Sequence, residues 1–92
     1  MKTFENTDGE LLTIKLDQYA SEGLAVQLRD SAGLPYATIS MWLDQTPELP
    51  KDQFFVKTYS ENEQIVGRML TLGILKIVGK GKEGDPIGTL CL

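Results

Sequence analysis

The sequence predicts an α+β domain: an antiparallel β-sheet of six or seven short strands, arranged as hairpins or a meander, with one α-helix packed on one face. Three observations support this prediction. Segments in which apolar and polar residues alternate are separated by turns rich in glycine and proline. One segment, which begins at Ser60, carries apolar residues at helical spacing. A chain of 92 residues can bury one hydrophobic core, which indicates a single domain over residues 1–92.

The first two strands are expected to form a hairpin. Residues 2–5 and 11–16 are the strands, and the Asp8-Gly9 pair between them is a strong hairpin signal because glycine accepts a positive φ angle. The inward face of the second strand consists of Leu12, Ile14 and Leu16.

A second hairpin is predicted from residues 23–30 and 36–43. Asp30 and Gly33 occupy the first and last positions of the turn between them, as type I turns prefer. The first strand directs Leu24, Val26 and Leu28 inward. The second strand presents Ala37, Ile39, Met41 and Leu43 on one face, and Tyr36, Thr38, Ser40 and Trp42 on the other.

Two prolines make residues 44–52 a loop, because proline removes a backbone donor and fixes φ. Residues 53–58 follow as a strand, in which we expect Phe55 to face the core and Phe54 to cover the other side. Residues 74–78 and 87–92 are predicted to close the sheet as a final hairpin.

The helix is predicted to begin with a capping box, in which the Ser60 hydroxyl accepts from a first-turn amide and Glu63 bonds back to the cap. Gly67 lies inside this helix, where we expect it to pack closely on the sheet. Gly73 is placed to end the helix.

The side-chain inventory argues against catalysis. The chain has no histidine, so triads that need an imidazole base cannot be assembled within it. Its one cysteine, Cys91, is more typical of a small packing residue than of a reactive thiol, and no zinc pattern is present. The glycines near Lys82 match no phosphate-binding motif. We therefore expect no enzyme activity, no cofactor and no metal.

The charge distribution predicts which partners the protein can bind. The net charge is −4, and residues 1–66 hold 11 acidic against 5 basic residues. This balance disfavours nucleic acid as a direct partner. The acidic residues either serve solubility alone, as solvated loop side chains, or attract a basic protein surface. Two strand aromatics, which either cover the second face of the sheet or bind a partner, join the loop acids as candidate partner-binding residues. The candidates are Tyr36, Trp42, Asp30, Asp44, Glu48 and Asp52.

The sequence shows neither a signal peptide nor an apolar run of membrane-spanning length, and a single cysteine is typical of a reducing compartment. We therefore expect a cytoplasmic location and no contact with a membrane.

The run from Gly23 to Leu43 (GLAVQLRDSAGLPYATISMWL), preceded by Tyr19, resembles a family of short uncharacterised bacterial proteins (a domain of unknown function) from plasmids, conjugative elements and phages. Leu49-Pro50 and Asn62-Glu63 match further parts of its pattern, and the resemblance covers most of residues 1–75. It implies no catalytic residues. Small acidic proteins of mobile elements are often inhibitors of host defence, such as anti-CRISPR and anti-restriction proteins.

Two main functional hypotheses follow. In the first, the protein is a non-enzymatic inhibitor or modulator from a mobile element or phage, and its acidic and aromatic surface occupies a basic, nucleic-acid-binding surface of a defence effector. In the second, it is a structural accessory protein that forms homo-oligomers by pairing a free sheet edge, such as the last strand. A multimer that holds a small molecule at its interface is a third alternative, although no sequence feature marks such a site.

Overall fold

The computed structural model describes residues 2–92, which form two four-stranded antiparallel sheets, one α-helix and two short 3-10 turns. The first sheet contains β1 (Thr3–Glu5), β2 (Leu11–Gln18), β3 (Leu24–Arg29) and β4 (Pro35–Thr38), in that spatial order. The second contains β5 (Ser40–Met41), β6 (Gln53–Val56), β7 (Leu75–Lys80) and β8 (Pro86–Leu90), in the order β5-β6-β8-β7. Helix α1 spans Glu63–Thr71. The antiparallel α+β class is confirmed, whereas the prediction of a single sheet of six or seven strands is wrong.

The single predicted strand over residues 36–43 is divided between the two sheets at Ile39. The amide of Ile39 donates to the Val26 carbonyl of β3 at 3.0 Å, and its carbonyl accepts from the Lys57 amide beyond β6 at 2.8 Å. One residue therefore bonds to both sheets. Ser40, predicted to lie on the polar face, is buried instead, because the strand bends here and the alternation of faces slips.

The hydrophobic core lies between the two sheets and α1. Its members are Phe4, Leu12, Ile14, Val26, Leu28, Ile39, Phe54, Val56, Ile65, Val66, Met69, Ile74 and Leu75. The inward residues predicted for β2 and β3 are confirmed except Leu16, whose side chain is 46% exposed. Leu16 lies near the end of β2 and lines a surface groove rather than the core.

The two phenylalanines of β6 have the opposite roles to those predicted. Phe54 belongs to the main core, whereas Phe55 is buried outside that cluster. Phe55 is covered by the turn between β7 and β8, where a Cβ atom on Gly81 would come 2.7 Å from the Phe55 ring. The pairing of β6 with β8 decides which ring points inward, and adjacent phenylalanines do not reveal that choice.

The predicted capping box is absent at the start of the helix. A 3-10 turn (Ser60–Asn62) precedes α1, and no side chain caps either element. Asn62 is buried instead, and its side-chain amide donates to the carbonyls of Thr38 at 2.7 Å and Lys57 at 3.0 Å. The chain passes from the first sheet to the second over Thr38–Ser40, which we call the crossing. The Thr38 carbonyl belongs to the crossing and Lys57 bonds to it through Ile39, so Asn62 joins the start of the helix to the crossing.

The carboxyl group of Glu61 has a lowered pKa. A hydrogen bond from its own backbone amide, the Ser60 hydroxyl and the Lys57 ammonium group together hold this pKa at about 2, below the ordinary 4.5. Lys57 approaches the carboxylate at 3.4 Å. Glu61 is therefore ionised throughout the physiological pH range.

Gly67 faces open space rather than the sheet, so the expected close packing is wrong. A Cβ atom there would meet nothing within 4 Å, and the residue is exposed. The expected end of the helix is confirmed, because Gly73 has a φ of +74° and its amide donates to the Leu70 carbonyl.

The last strand is not a free sheet edge. β8 lies between β6 and β7, so the open edges of the second sheet are β5 and β7. The prediction that the last strand could pair with another copy is therefore wrong, because the final segment pairs inward with β6 as well as with its hairpin partner.

Replacing Asn62 should test whether the fold depends on the crossing. Asn62→Ala leaves two carbonyls without a donor and opens a small cavity, so we expect the free energy of unfolding to fall by about 2–4 kcal/mol. Urea denaturation followed by circular dichroism measures this change. Gln64→Ala, an exposed neighbouring position, is the control and should change stability by less than about 0.5 kcal/mol. A loss below about 1 kcal/mol for Asn62→Ala would show that the bridge contributes little.

Gly67→Ala should stabilise the protein. Alanine in a helix interior is favoured over glycine by up to about 1 kcal/mol, and here the added methyl group meets no neighbour. The thermal unfolding midpoint should rise accordingly in calorimetry. A lower midpoint would contradict the open environment described here for Gly67.

Candidate functional site

A surface groove of about 720 Å³ lies where the end of β2, the turn between β2 and β3, and the loop between β5 and β6 meet. It is lined by Leu16, Asp17, Gln18, Glu22, Gly23, Leu24, Thr46, Pro47, Leu49, Pro50 and Lys51. Leucine and proline side chains supply an apolar surface, and carboxylates and one ammonium group supply the polar part. Volumes of this size are typical of binding sites, so the groove is the candidate functional site.

The two sides of the groove are held together by Gly23 and Thr46. Gly23 has a φ of +114°, and a Cβ atom added to it would overlap the Thr46 methyl group. Thr46 is buried, and its hydroxyl accepts a hydrogen bond from the Leu43 amide at 2.8 Å. The β2–β3 turn and the β5–β6 loop are therefore packed in direct contact.

The β5–β6 loop has a defined conformation although it contains no strand. A 3-10 turn spans Thr46–Glu48, and Pro47 is its second residue. Pro47 and Pro50 both line the groove, and their rings restrict the backbone. A preformed wall of this kind loses little conformational entropy when a partner binds.

Trp42 supports the opposite wall. Its indole N–H donates to the Glu22 carbonyl at 3.1 Å, and 39% of its surface remains exposed. Glu22 has a φ of +67°, in the left-handed region that non-glycine residues seldom adopt. The Tyr19 hydroxyl forms a 2.9 Å hydrogen bond with the Ser40 hydroxyl, so both ends of this turn are tied to the crossing strand.

The groove is formed by chain segments that are rich in carboxylates, and two acidic residues, Asp17 and Glu22, line it directly. The segments that form it, residues 16–24 and 42–53, contain five carboxylates and one ammonium group, which amounts to a net charge of −4. This equals the net charge of the whole chain. The carboxylates are those of Asp17, Glu22, Asp44, Glu48 and Asp52, and all are on exposed residues. We call this feature the acidic groove.

Four of the predicted partner-binding residues lie beside the acidic groove. Trp42 supports its wall, Glu48 lies between two residues that line it, and Asp44 and Asp52 lie on the same loop. Asp44, Glu48 and Asp52 therefore belong to the loop that forms one wall of the groove.

The other two candidates, Asp30 and Tyr36, lie elsewhere. They flank the β3–β4 turn, at the opposite end of β3 from the groove, and a six-residue strand is about 17–20 Å long. The Asp30 carboxylate accepts from the amides of Ala32 and Leu34, which stabilises that turn. The Tyr36 hydroxyl accepts from the Asn6 amide group at 3.3 Å. The predicted residues thus do not form one continuous surface.

The alternation along β2 does not reveal the apolar part of the groove. Leu16 continues that alternation, which predicts a core position, yet it lies beyond the part of the strand that the core covers. Leu49 lies between two groove-lining prolines, a setting that a core leucine seldom has, and this spacing was the available signal.

Residues 2–92 contain no group of three or more histidine, cysteine or carboxylate side chains that could hold a metal ion. In the same range, no helix is long and apolar enough to cross a membrane. Comparisons with protein-family models, with curated proteins and with solved structures found no match for this chain.

A double-mutant cycle should test the contact that joins the two groove walls. Gly23→Ala introduces a methyl group into the Thr46 side chain and strains a positive φ, so we expect a loss of about 2–4 kcal/mol of unfolding free energy. Thr46→Ser keeps the hydroxyl that Leu43 uses and removes the methyl group. Combined with Gly23→Ala, it should restore about 1–2 kcal/mol.

Urea denaturation gives the free energy of unfolding of the wild type, the two single variants and the double variant. If Thr46→Ser changes the stability of the wild type and of the Gly23→Ala protein equally, the two walls are not packed through this contact.

Proposed function

We propose that this protein is a non-catalytic protein-binding inhibitor or modulator whose acidic groove receives a basic segment of another protein. The observation that carries the proposal is the acidic groove itself, in which apolar side chains lie beside two lining carboxylates and next to a loop that carries three more. A site with these two properties complements a segment that combines lysine or arginine with apolar side chains.

The chemistry of the groove supports such an occupant. Leu16 is largely exposed and Leu24 and Leu49 are half-buried, so apolar area is available for burial. Arginine and lysine pack their aliphatic stems on apolar surface and keep their charged ends free. The rim carboxylates can then pair with those ends, which favours rapid association and selects against acidic partners.

The class of partner follows from the family resemblance and from the charge. Proteins that bind DNA or RNA present arginine and lysine to phosphates, and rim carboxylates can occupy the same basic surface. We propose that the protein is encoded by a mobile element or phage and that the partner is a nucleic-acid-binding defence effector of the bacterial host, as for anti-CRISPR and anti-restriction proteins. Contact alone is sufficient for this action, which requires neither a cofactor nor turnover.

Binding to purified CRISPR effectors and restriction enzymes tests the proposal. We expect the immobilised protein to retain at least one of them, and we expect added salt and competing nucleic acid to release it. Asp17→Lys combined with Glu48→Lys should weaken that complex by about tenfold or more, because a carboxylate that lines the groove and one between two lining residues become ammonium groups.

The matched control is Glu5→Lys combined with Glu63→Lys, which changes the net charge equally at exposed positions outside the groove. This variant should weaken the complex by less than about threefold. Failure to retain any effector contradicts the proposed partner class. Equal weakening by both variants means that net charge, rather than the groove, drives the association.

A further inference from the structure

A second surface is independent of the acidic groove. β7 is an edge strand of the second sheet, because β8 pairs with it on one side only. Among residues 2–92, no hydrogen bond reaches its other side. Residues 76–80 are all exposed, so neither the edge nor the faces of this strand are covered.

The hydrogen-bond pattern identifies the backbone groups that point outward. The Cys91 amide donates to the Ile74 carbonyl, so Ile74 directs its polar groups toward the final segment of the chain. Backbone groups in a regular antiparallel strand alternate in direction, and the β-bulge in β7 begins only after Ile77, so the groups of Ile77 point toward the open edge. From the other end, the Gly81 amide donates to Asp85, which directs the groups of Lys80 outward.

The side chains of β7 are apolar and basic. Ile77 is 38% exposed and Val78 is 44% exposed, which leaves unusual apolar area for an edge strand. Residues 74–82 carry three lysines (Lys76, Lys80 and Lys82) and no carboxylate, in a chain whose net charge is −4. The edge is therefore a positive and apolar strip on a negatively charged protein.

We propose that β7 binds an extended, acidic segment of another protein as an additional strand of the second sheet. The outward amides and carbonyls of β7 supply main-chain hydrogen bonds, and the exposed side chains of Ile77 and Val78 supply apolar area for contact with the added strand. The lysines supply charge complementarity, because cross-strand pairs of opposite charge stabilise a sheet.

A second copy of the chain is a poorer occupant of this edge. A two-fold axis between antiparallel strands places one residue opposite itself. Registers centred near Lys76 or Lys80 then bring the lysines of the two copies directly opposite or diagonally adjacent. Like charges in those positions destabilise pairing, so the same lysines disfavour a dimer and favour an acidic strand.

Fluorescence anisotropy with two labelled probe peptides tests the proposal. One is a short peptide that alternates valine with glutamate, and the other carries lysine in place of glutamate. We expect the acidic peptide to bind at least about tenfold more tightly than the basic one. The double variant Lys76→Glu with Lys80→Glu should reverse this preference. Equal binding of the two peptides, or no binding at millimolar concentration, would overturn the proposal.

Ile77→Pro tests the binding mode. Proline removes an outward amide without removing a bond to β8, so binding should fall by about tenfold or more. Ile77→Thr keeps that amide and should bind within about threefold of the wild type. If Ile77→Pro does not fold, hydrogen exchange of the wild-type backbone amides tests strand addition instead. The Ile77 amide should then exchange more slowly when the acidic peptide is bound. Unchanged exchange overturns strand addition.

Sedimentation of the free protein tests whether a second copy of the chain occupies the β7 edge. The proposal expects a monomer at all concentrations. A concentration-dependent dimer that Ile77→Pro dissociates would assign this edge to a second copy and overturn the proposal. The groove variants Asp17→Lys and Glu48→Lys should leave binding of the acidic peptide unchanged or stronger, so failure of this proposal is distinct from failure of the proposed function.

Discussion

The structure depends on the crossing of one strand from the first sheet to the second over Thr38–Ser40. The ladder between β3 and β4 ends there, and the Ser40 hydroxyl accepts from the Val26 amide at 2.9 Å in place of a backbone carbonyl. The same hydroxyl bonds to Tyr19, and Asn62 satisfies the Thr38 carbonyl. Both sheets, the start of the helix and the turn beside the groove are thus tied to three consecutive residues. Buried polar groups of this kind stabilise a fold only when they are paired, which makes the crossing a strict constraint.

The groove is a consequence of this arrangement. Because Tyr19 is fixed to the crossing and Gly23 is packed on Thr46, the β2–β3 turn holds one position relative to the β5–β6 loop. The loop acids project from a framework that is already ordered, so binding a partner does not require the walls to assemble first. The two surfaces also differ in charge: carboxylates lie at the groove, and lysines lie along an uncovered strand of the second sheet.

Local patterns predicted the parts of the fold that local forces decide. The hairpin turns at Gly9 and Gly33, the inward faces of β2 and β3, and the end of the helix at Gly73 follow from alternation and from positive φ angles. Features set by distant contacts were not predictable in this way. The change of sheet at Ile39 depends on its bonds to the Val26 carbonyl and the Lys57 amide, which are far apart in the sequence. Which of Phe54 and Phe55 faces the core depends on the pairing of β6 with β8. For the same reason, the sequence predicts Asp44, Glu48 and Asp52 as loop acids but does not place their loop beside the β2–β3 turn, and the separation of Asp30 and Tyr36 depends on the sheet order.

Trp42 has one further consequence. It is the only tryptophan in the chain, and its indole N–H contacts the carbonyl of Glu22 at the wall of the groove while part of the ring stays in water. The ultraviolet emission of the unlabelled protein therefore comes mainly from this one position. Dehydration of the ring or loss of its hydrogen bond changes the colour and yield of that emission, so the protein contains its own optical reporter for the site.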